Sequence, residues 1–252
     1  MHIQEYIEPI AELCLKTLIT DPFSMLIRRE SAKCMRFCID ACKEHTDKQQ
    51  ALFIMTYARL MEELAKRKDR KEFDQVNGIL KEIHKMLKCF THLTDKGLPI
   101  FKSVEDAQTC ITRMAECVKL IQADKAGRLA KMKVLAKQVD EEDMEYFMED
   151  LEKVDKGIHW VMEISGFLMQ NMGHSISGHV STITLPLYAG VLLDIKSRKD
   201  YELIDPVCFI CDCLEYGNPA LYGQIQGQAG EKFIELIQHG SKDKDNVNYG
   251  LL

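Results

Sequence analysis

Proline is scarce in this sequence, with six residues in 252, too few for long disordered linkers. No apolar run reaches 18 residues, and the start Met1-His-Ile-Gln-Glu-Tyr-Ile-Glu-Pro9 has no basic region followed by an apolar one. Neither a membrane span nor a signal peptide is therefore expected. Asn-x-Ser/Thr sequons are missing too, so ten cysteines are expected as reduced thiols in the cytosol or nucleus rather than as a disulfide framework. An excess of positive charge is also lacking. A net charge of −6 argues against wrapping nucleic acid, whose phosphates need a basic surface. Period-two runs typical of strands do not occur, whereas 46% hydrophobic content is ample for an ordered core.

Helical periodicity fills the chain. Leu151, Val154, Ile158, Val161, Leu168 and Met172 recur at steps of three, four and seven, one apolar stripe on a helix. If continuous from Asp143 to Met172, this helix would be roughly 45 Å long at about 1.5 Å per residue. Asp140, Glu141, Glu142, Asp143, Glu145, Glu149 and Asp150 crowd its start. A dense negative patch steers and binds basic partners; the bland alternative is a solvated helix start that keeps the protein soluble.

Shorter helices flank this element in pairs. Ile7, Ile10, Leu13, Cys14 and Leu18 predict one helix face, and Ile27, Ser31, Cys34, Met35, Cys38 and Cys42 the next. A helix over 48–65, a charged turn at Arg67-Lys-Asp-Arg70 and a helix over 73–91 make a second pair. Ser103 reads as an N-cap with Glu105 and Asp106 in the first turn, opening a helix to about Ala123. Gly173-His-Ser-Ile-Ser-Gly178 reads as a flexible link, followed by a Leu-Pro helix over 180–195 and a second helix over 202–215 with Ile204, Val207, Cys208, Ile210, Cys211 and Leu214. A further helix covers 221–238, and Asn246 to Leu252 begins one in which the chain stops, so a piece of a longer protein is expected. The fold class is all-α: a HEAT-repeat solenoid of antiparallel helix pairs with one enlarged repeat containing the long helix, in units of about 3–45, 46–97, 98–173, 174–217 and 218–252. A compact helical bundle is the rival.

No signature of catalysis or metal binding stands out. Cys34, Cys38 and Cys42 run along one helix face rather than around a point, as tetrahedral zinc requires, and should pack inward as small hydrophobes; Cys208, Cys211 and Cys213 lack a second pair. The histidines form no His-Glu-x-x-His motif, and Gly223, Gly227 and Gly230 lack the Lys-Ser/Thr of a phosphate loop; they read as sites of close helix contact. Lys66-Arg-Lys-Asp-Arg-Lys71 reads as a solvated turn. No cofactor, metal or enzymatic activity is expected.

Particular stretches carry a resemblance. The Pro-containing helices Tyr6-Ile-Glu-Pro-Ile-Ala-Glu-Leu and Ile183-Thr-Leu-Pro-Leu-Tyr-Ala-Gly-Val-Leu-Leu, the turn into Asp245-Asn-Val-Asn-Tyr-Gly-Leu, and the acidic insertion before Ile158-His-Trp-Val-Met-Glu-Ile resemble the beta-karyopherins, in particular the carboxy-terminal half of the karyopherin-beta-three importins. Asn248 stands where such repeats often carry Arg. The resemblance implies a non-enzymatic nuclear transport receptor, monomeric as a whole, shuttling between cytoplasm and nucleus, that binds cargo with basic signals, the GTPase Ran and Phe-Gly nucleoporins. From the charge and the apolar run lengths, no membrane and no nucleic-acid partner is expected. A HEAT-repeat scaffold of another kind, such as a phosphatase regulatory subunit, and an all-helical enzyme or metal protein are the other readings.

Overall fold

The computed structural model describes residues 4–19, 25–42, 46–89, 101, 103–135, 141–187 and 200–240. Of these, 95% are helical and none is in a strand, so the all-α expectation holds. The chain divides into two compact units, Met1–Lys102 and Ser103–Leu252.

The first unit contains α1 (Gln4–Ile19), α2 (Met25–Ala41), α3 (Thr46–Asp69) and α4 (Phe73–Cys89). Helix α1 packs on α2 and α3 on α4; α1 also meets α3, and α2 meets α4. The apolar stripe of α4 lies as its spacing predicts, with Val76, Leu80, Ile83 and Leu87 buried. Leu52, Phe53, Leu60 and Leu64 of α3 and Met35 and Ile39 of α2 are buried as well, and both helices meet α4. Phe53 and Tyr57 stack at 5.7 Å, and the buried Phe101 ring stands edge-on to Tyr57 at 5.2 Å. On α1 the buried face is Ile7, Ala11 and Leu15, while Ile10 and Leu13 point outward. The buried face is thus rotated from the expected one, with Ala11 inside and Leu13 outside, and no hydropathy pattern favours the smaller residue.

The turn between α3 and α4 is built from hydrogen bonds. Glu72 N–H donates to the Arg67 carbonyl (3.0 Å) and Lys71 N–H to that of Lys68 (3.0 Å), with Lys71 at φ 58°. This nested pair is a Schellman motif, placing Lys71 where glycine is usual. Helix α3 consequently runs on through the charged run to Asp69, four residues past the expected end.

The second unit contains α5 (Val104–Leu135), α6 (Glu141–Ile183), α7 (Asp200–Tyr216) and α8 (Pro219–Gly240). Ser103 caps α5 as expected, its Oγ accepting from Asp106 N–H at 3.2 Å. Helix α5 continues twelve residues beyond the expected end, supported by Arg128 on Asp124 (2.7 Å) and by Lys125 on Asp155 of α6 (2.6 Å). Asn218 caps α8, its Oδ1 accepting from Leu221 N–H at 3.1 Å, and Pro219 occupies the first helical position, where its missing N–H is harmless.

Helix α6 has 43 residues, about 64 Å at 1.5 Å per residue. It differs from expectation in two ways. Its middle is more than a stripe: Val161, Met162 and Ile164 to Met169 are buried, because α5 and α7 both pack on it and α8 touches it as well. Also, 173–178 is unbroken helix rather than a flexible link. Hydroxyls of this stretch bond within the helix, Ser177 Oγ to the Gly173 carbonyl and Thr182 Oγ1 to that of Gly178, and Gly173 faces α7. The expected separate helix over 180–195 is replaced, as far as residue 187, by the end of α6, a turn at Thr184 and one short helical segment; 188–195 lies outside the described residues. Among the described residues no helix is long and apolar enough to cross a membrane.

Candidate functional site

Helix α6 begins at Glu141, inside the acidic segment. Like-charge repulsion between neighbouring carboxylates disfavours a helix interior, but at a helix start the unpaired N–H groups attract negative charge. Glu141, Glu142 and Asp143 therefore lie where carboxylates are tolerated best, and the later ones follow beyond the first turn. Glu145, Glu149 and Glu152 are exposed at helical spacing, beside the exposed side chains of Tyr146 and Met148. Asp140 and the side chains of Glu141, Glu142, Asp143 and Asp150 lie outside the described residues.

Further along, α6 meets α7 in a seam whose contacts advance together on both helices. His159 Nδ1 lies 2.9 Å from both carboxylate oxygens of Asp205. Gln170 Nε2 donates to Asp212 Oδ1 at 3.0 Å. Gly173 abuts the backbone of Tyr216, and Ser177 Oγ accepts from Asn218 N–H at 3.0 Å. This ordering makes α6 and α7 parallel. In contrast, Thr112 of α5 bonds His179 near the end of α6 while Lys125 pairs with Asp155 nearer its start, so α5 and α6 are antiparallel. Burial pushes the Asp212 carboxyl above the usual carboxylate range, partly opposed by the Gln170 hydrogen bond.

Glu163 stands one turn after His159, and donor atoms of His159, Glu163 and Asp205 all fall within 4.8 Å of one another. All three side chains are half-buried. Sequence reasoning missed this cluster. His159 and Glu163 at i and i+4 were a visible half of it, but Asp205 is 46 residues from His159, and nothing local connects them.

Nine described cysteines are all free. Cys38, Cys42 and Cys213 are buried, as small hydrophobes should be, whereas Cys34 and Cys211 are only half-buried and Cys208 is exposed. The expected inward face of Cys34, Cys38 and Cys42 is thus complete only for the last two. On α7 the inward positions are Val207, Phe209, Ile210 and Cys213, with Leu214 outward. Burial, reinforced by the neighbouring Cys34, pushes the Cys14 thiol up to about 12 and Cys38 up to about 11. Such thiols stay protonated near neutral pH and make poor nucleophiles.

Two readings of surface features need correction. Gly223 and Gly227 of α8 have open space where a Cβ would be, and Gly230 meets only Gln226 of its own helix; these glycines do not serve close helix contact among the described residues. In the basic run Lys66 to Lys71, Arg67 is buried, its side chain 5% exposed, and it bonds Glu63 and Glu72 at 2.5 Å each. Lys66, Arg70 and Lys71 are exposed as a solvated turn requires. No protein-family model matches the chain, and none of the curated proteins compared with it is similar to it.

Proposed function

We propose that this chain is a non-enzymatic segment of a nuclear transport receptor, a HEAT-type array that holds basic partners through the acidic start of α6. The observation that carries the reading is Glu145, Glu149 and Glu152 exposed in a row with Tyr146 at the head of a 43-residue helix. Carboxylates at that spacing line one helix face, and an aromatic beside them offers a surface to a lysine or arginine side chain. Helix arrangement supports the array. In the first unit α1 also touches α3 and α2 also touches α4, as they do when one helix pair stacks on the next and each repeat contacts its neighbours. The sequence resemblance to beta-karyopherins then names the partners: cargo with basic signals, Ran and Phe-Gly nucleoporins.

The test is binding of a fluorescent lysine-rich localisation peptide, read by anisotropy at two salt concentrations. Exposed charges are screened over about 8 Å at physiological ionic strength, so affinity should fall steeply as salt rises. Changing Glu145, Glu149 and Glu152 together to Gln should weaken binding about tenfold, equivalent to roughly 1.4 kcal/mol. Salt-independent binding, or an unchanged affinity in the triple variant, refutes the acidic face as the docking site. GTP-loaded Ran that neither binds the chain nor displaces the peptide counts against transport and leaves a scaffold of another kind.

A further inference from the structure

We propose that His159, Glu163 and Asp205 form a binding site for a divalent first-row transition metal, of the zinc or cobalt class, that clips α6 to α7. This goes beyond the transport reading and stands or falls independently of it.

Three observations converge. His159 and Glu163 sit at i and i+4, so both project from one face of α6. Asp205 reaches in from α7, with His159 Nδ1 at 2.9 Å from each of its oxygens. The three donor atoms lie within 4.8 Å of one another. Bonds of about 2.0–2.2 Å to nitrogen and carboxylate oxygen demand somewhat closer spacing, which small rotations of these half-buried side chains supply. In the metal-bound form the ion displaces the hydrogen bond from between imidazole and carboxylate and takes Nδ1 and one oxygen as ligands. Glu163 closes the third side. Solvent completes the coordination, because none of the three residues is fully buried.

The donor set selects the metal class. Magnesium and calcium are held by oxygen ligands, six to eight of them for calcium, and an imidazole with two carboxylates is a poor cage for either. Imidazole nitrogen suits zinc and its neighbours. A metal-ligating imidazole is neutral, so the two carboxylates would supply the negative charge that a divalent cation neutralises. Cys208, one turn beyond Asp205 and exposed, is a competing soft ligand, and the cobalt spectrum separates ligation by sulfur from ligation by nitrogen and oxygen.

Titrating cobalt(II) into the full chain with its thiols kept reduced tests the site. The expected result is one cobalt per chain with weak visible d–d bands and no near-ultraviolet thiolate-to-cobalt charge-transfer band. Glu163→Gln and Asp205→Asn should each weaken binding more than about tenfold, since even outer partners of a metal typically contribute 10–100-fold. His174→Gln, an exposed imidazole on the same helix, should leave affinity unchanged. Asp205→Asn also removes the hydrogen bond to His159. Glu163→Gln does not, and circular dichroism of both metal-free variants checks that the helices remain. The proposal is overturned by affinity weaker than about 1 mM, by equal cobalt affinity in wild type and Glu163→Gln, or by a charge-transfer band that places the metal on sulfur. A seam held only by the His159–Asp205 hydrogen bond gives the second of these outcomes.

Discussion

Replacing Arg67 by Ala should cost the first unit about 3 kcal/mol. Breaking a buried ion pair by removing one partner leaves the other as an uncompensated buried charge, which typically costs 3–5 kcal/mol. Glu63 is that partner, with its side chain 11% exposed and only the exposed Lys66, at 3.8 Å, left beside it; Glu72, at 30%, retains water and Arg70 at 3.9 Å and suffers less. Arg67 also carries the carbonyl that accepts from Glu72 N–H in the turn, so its side chain and main chain fasten α3 to the head of α4 together. The loss should appear in urea unfolding as a lower midpoint, and in heating as a transition roughly 10–20 °C lower for a unit of this size. Changing Glu63 and Arg67 together to Met should recover most of the loss, because no orphaned charge remains. A cost below about 1 kcal/mol for Arg67→Ala, or a double variant no better than the single one, would show that the pair behaves like a surface salt bridge.

Gly173→Ala should destabilise the second unit by about 1–2 kcal/mol. A Cβ at this position would overlap the main-chain carbonyl of Tyr216, and a backbone atom cannot rotate aside as a side chain can. The α6–α7 seam must open, an overpacking cost of typically 1–3 kcal/mol or more, set against up to about 1 kcal/mol that Ala gains over Gly in a helix interior. Two companion substitutions supply the scale. At Gly178, also inside α6, nothing lies within 4 Å of the added carbon, so Gly178→Ala should stabilise by up to about 1 kcal/mol. At Gly166 the carbon would meet the Asp212 carboxylate, the end of a side chain that can turn, so the change should fall between the other two. Chemical unfolding of all three gives the order. If Gly173→Ala matches Gly178→Ala, the close approach to Tyr216 is absent in solution.

These two positions also show where the sequence is legible and where it is not. Repeating apolar spacing places Val76, Leu80, Ile83 and Leu87 in the core without any knowledge of partners, and Ser103 with its acidic first turn marks a helix start for local reasons. Both signals are carried by neighbours along the chain. Gly173 is different: the same residue opens a flexible link or admits another backbone, and only Tyr216, far along the sequence, decides which. Arg67 stands among five charged neighbours, and its burial depends on how α3 seats against α4, so composition reads it as one more solvated charge. Ala11 against Leu13 on α1 follows the same logic. The acidic segment was legible as charge, and helix α6 begins within it, yet the cluster of His159, Glu163 and Asp205 needed two helices to be brought side by side. Periodicity reveals which residues are apolar on one helix, whereas the α6–α7 seam is chosen by pairs that periodicity does not connect.

The parallel course of α6 and α7 has an entropic side. Arg67 and Glu72 are five residues apart, so the turn they tie closes a very short loop, while His159 and Asp205 close one of 46. Loop-closure entropy grows as about 1.5 RT times the logarithm of loop length, which makes the seam roughly 2 kcal/mol more expensive to close than the turn. Adjacent antiparallel helices such as α3 and α4 pair almost as soon as they form. A helix that must run beside another in the same direction waits for the chain to travel back, and until then α6 exposes the apolar face that α7 later covers.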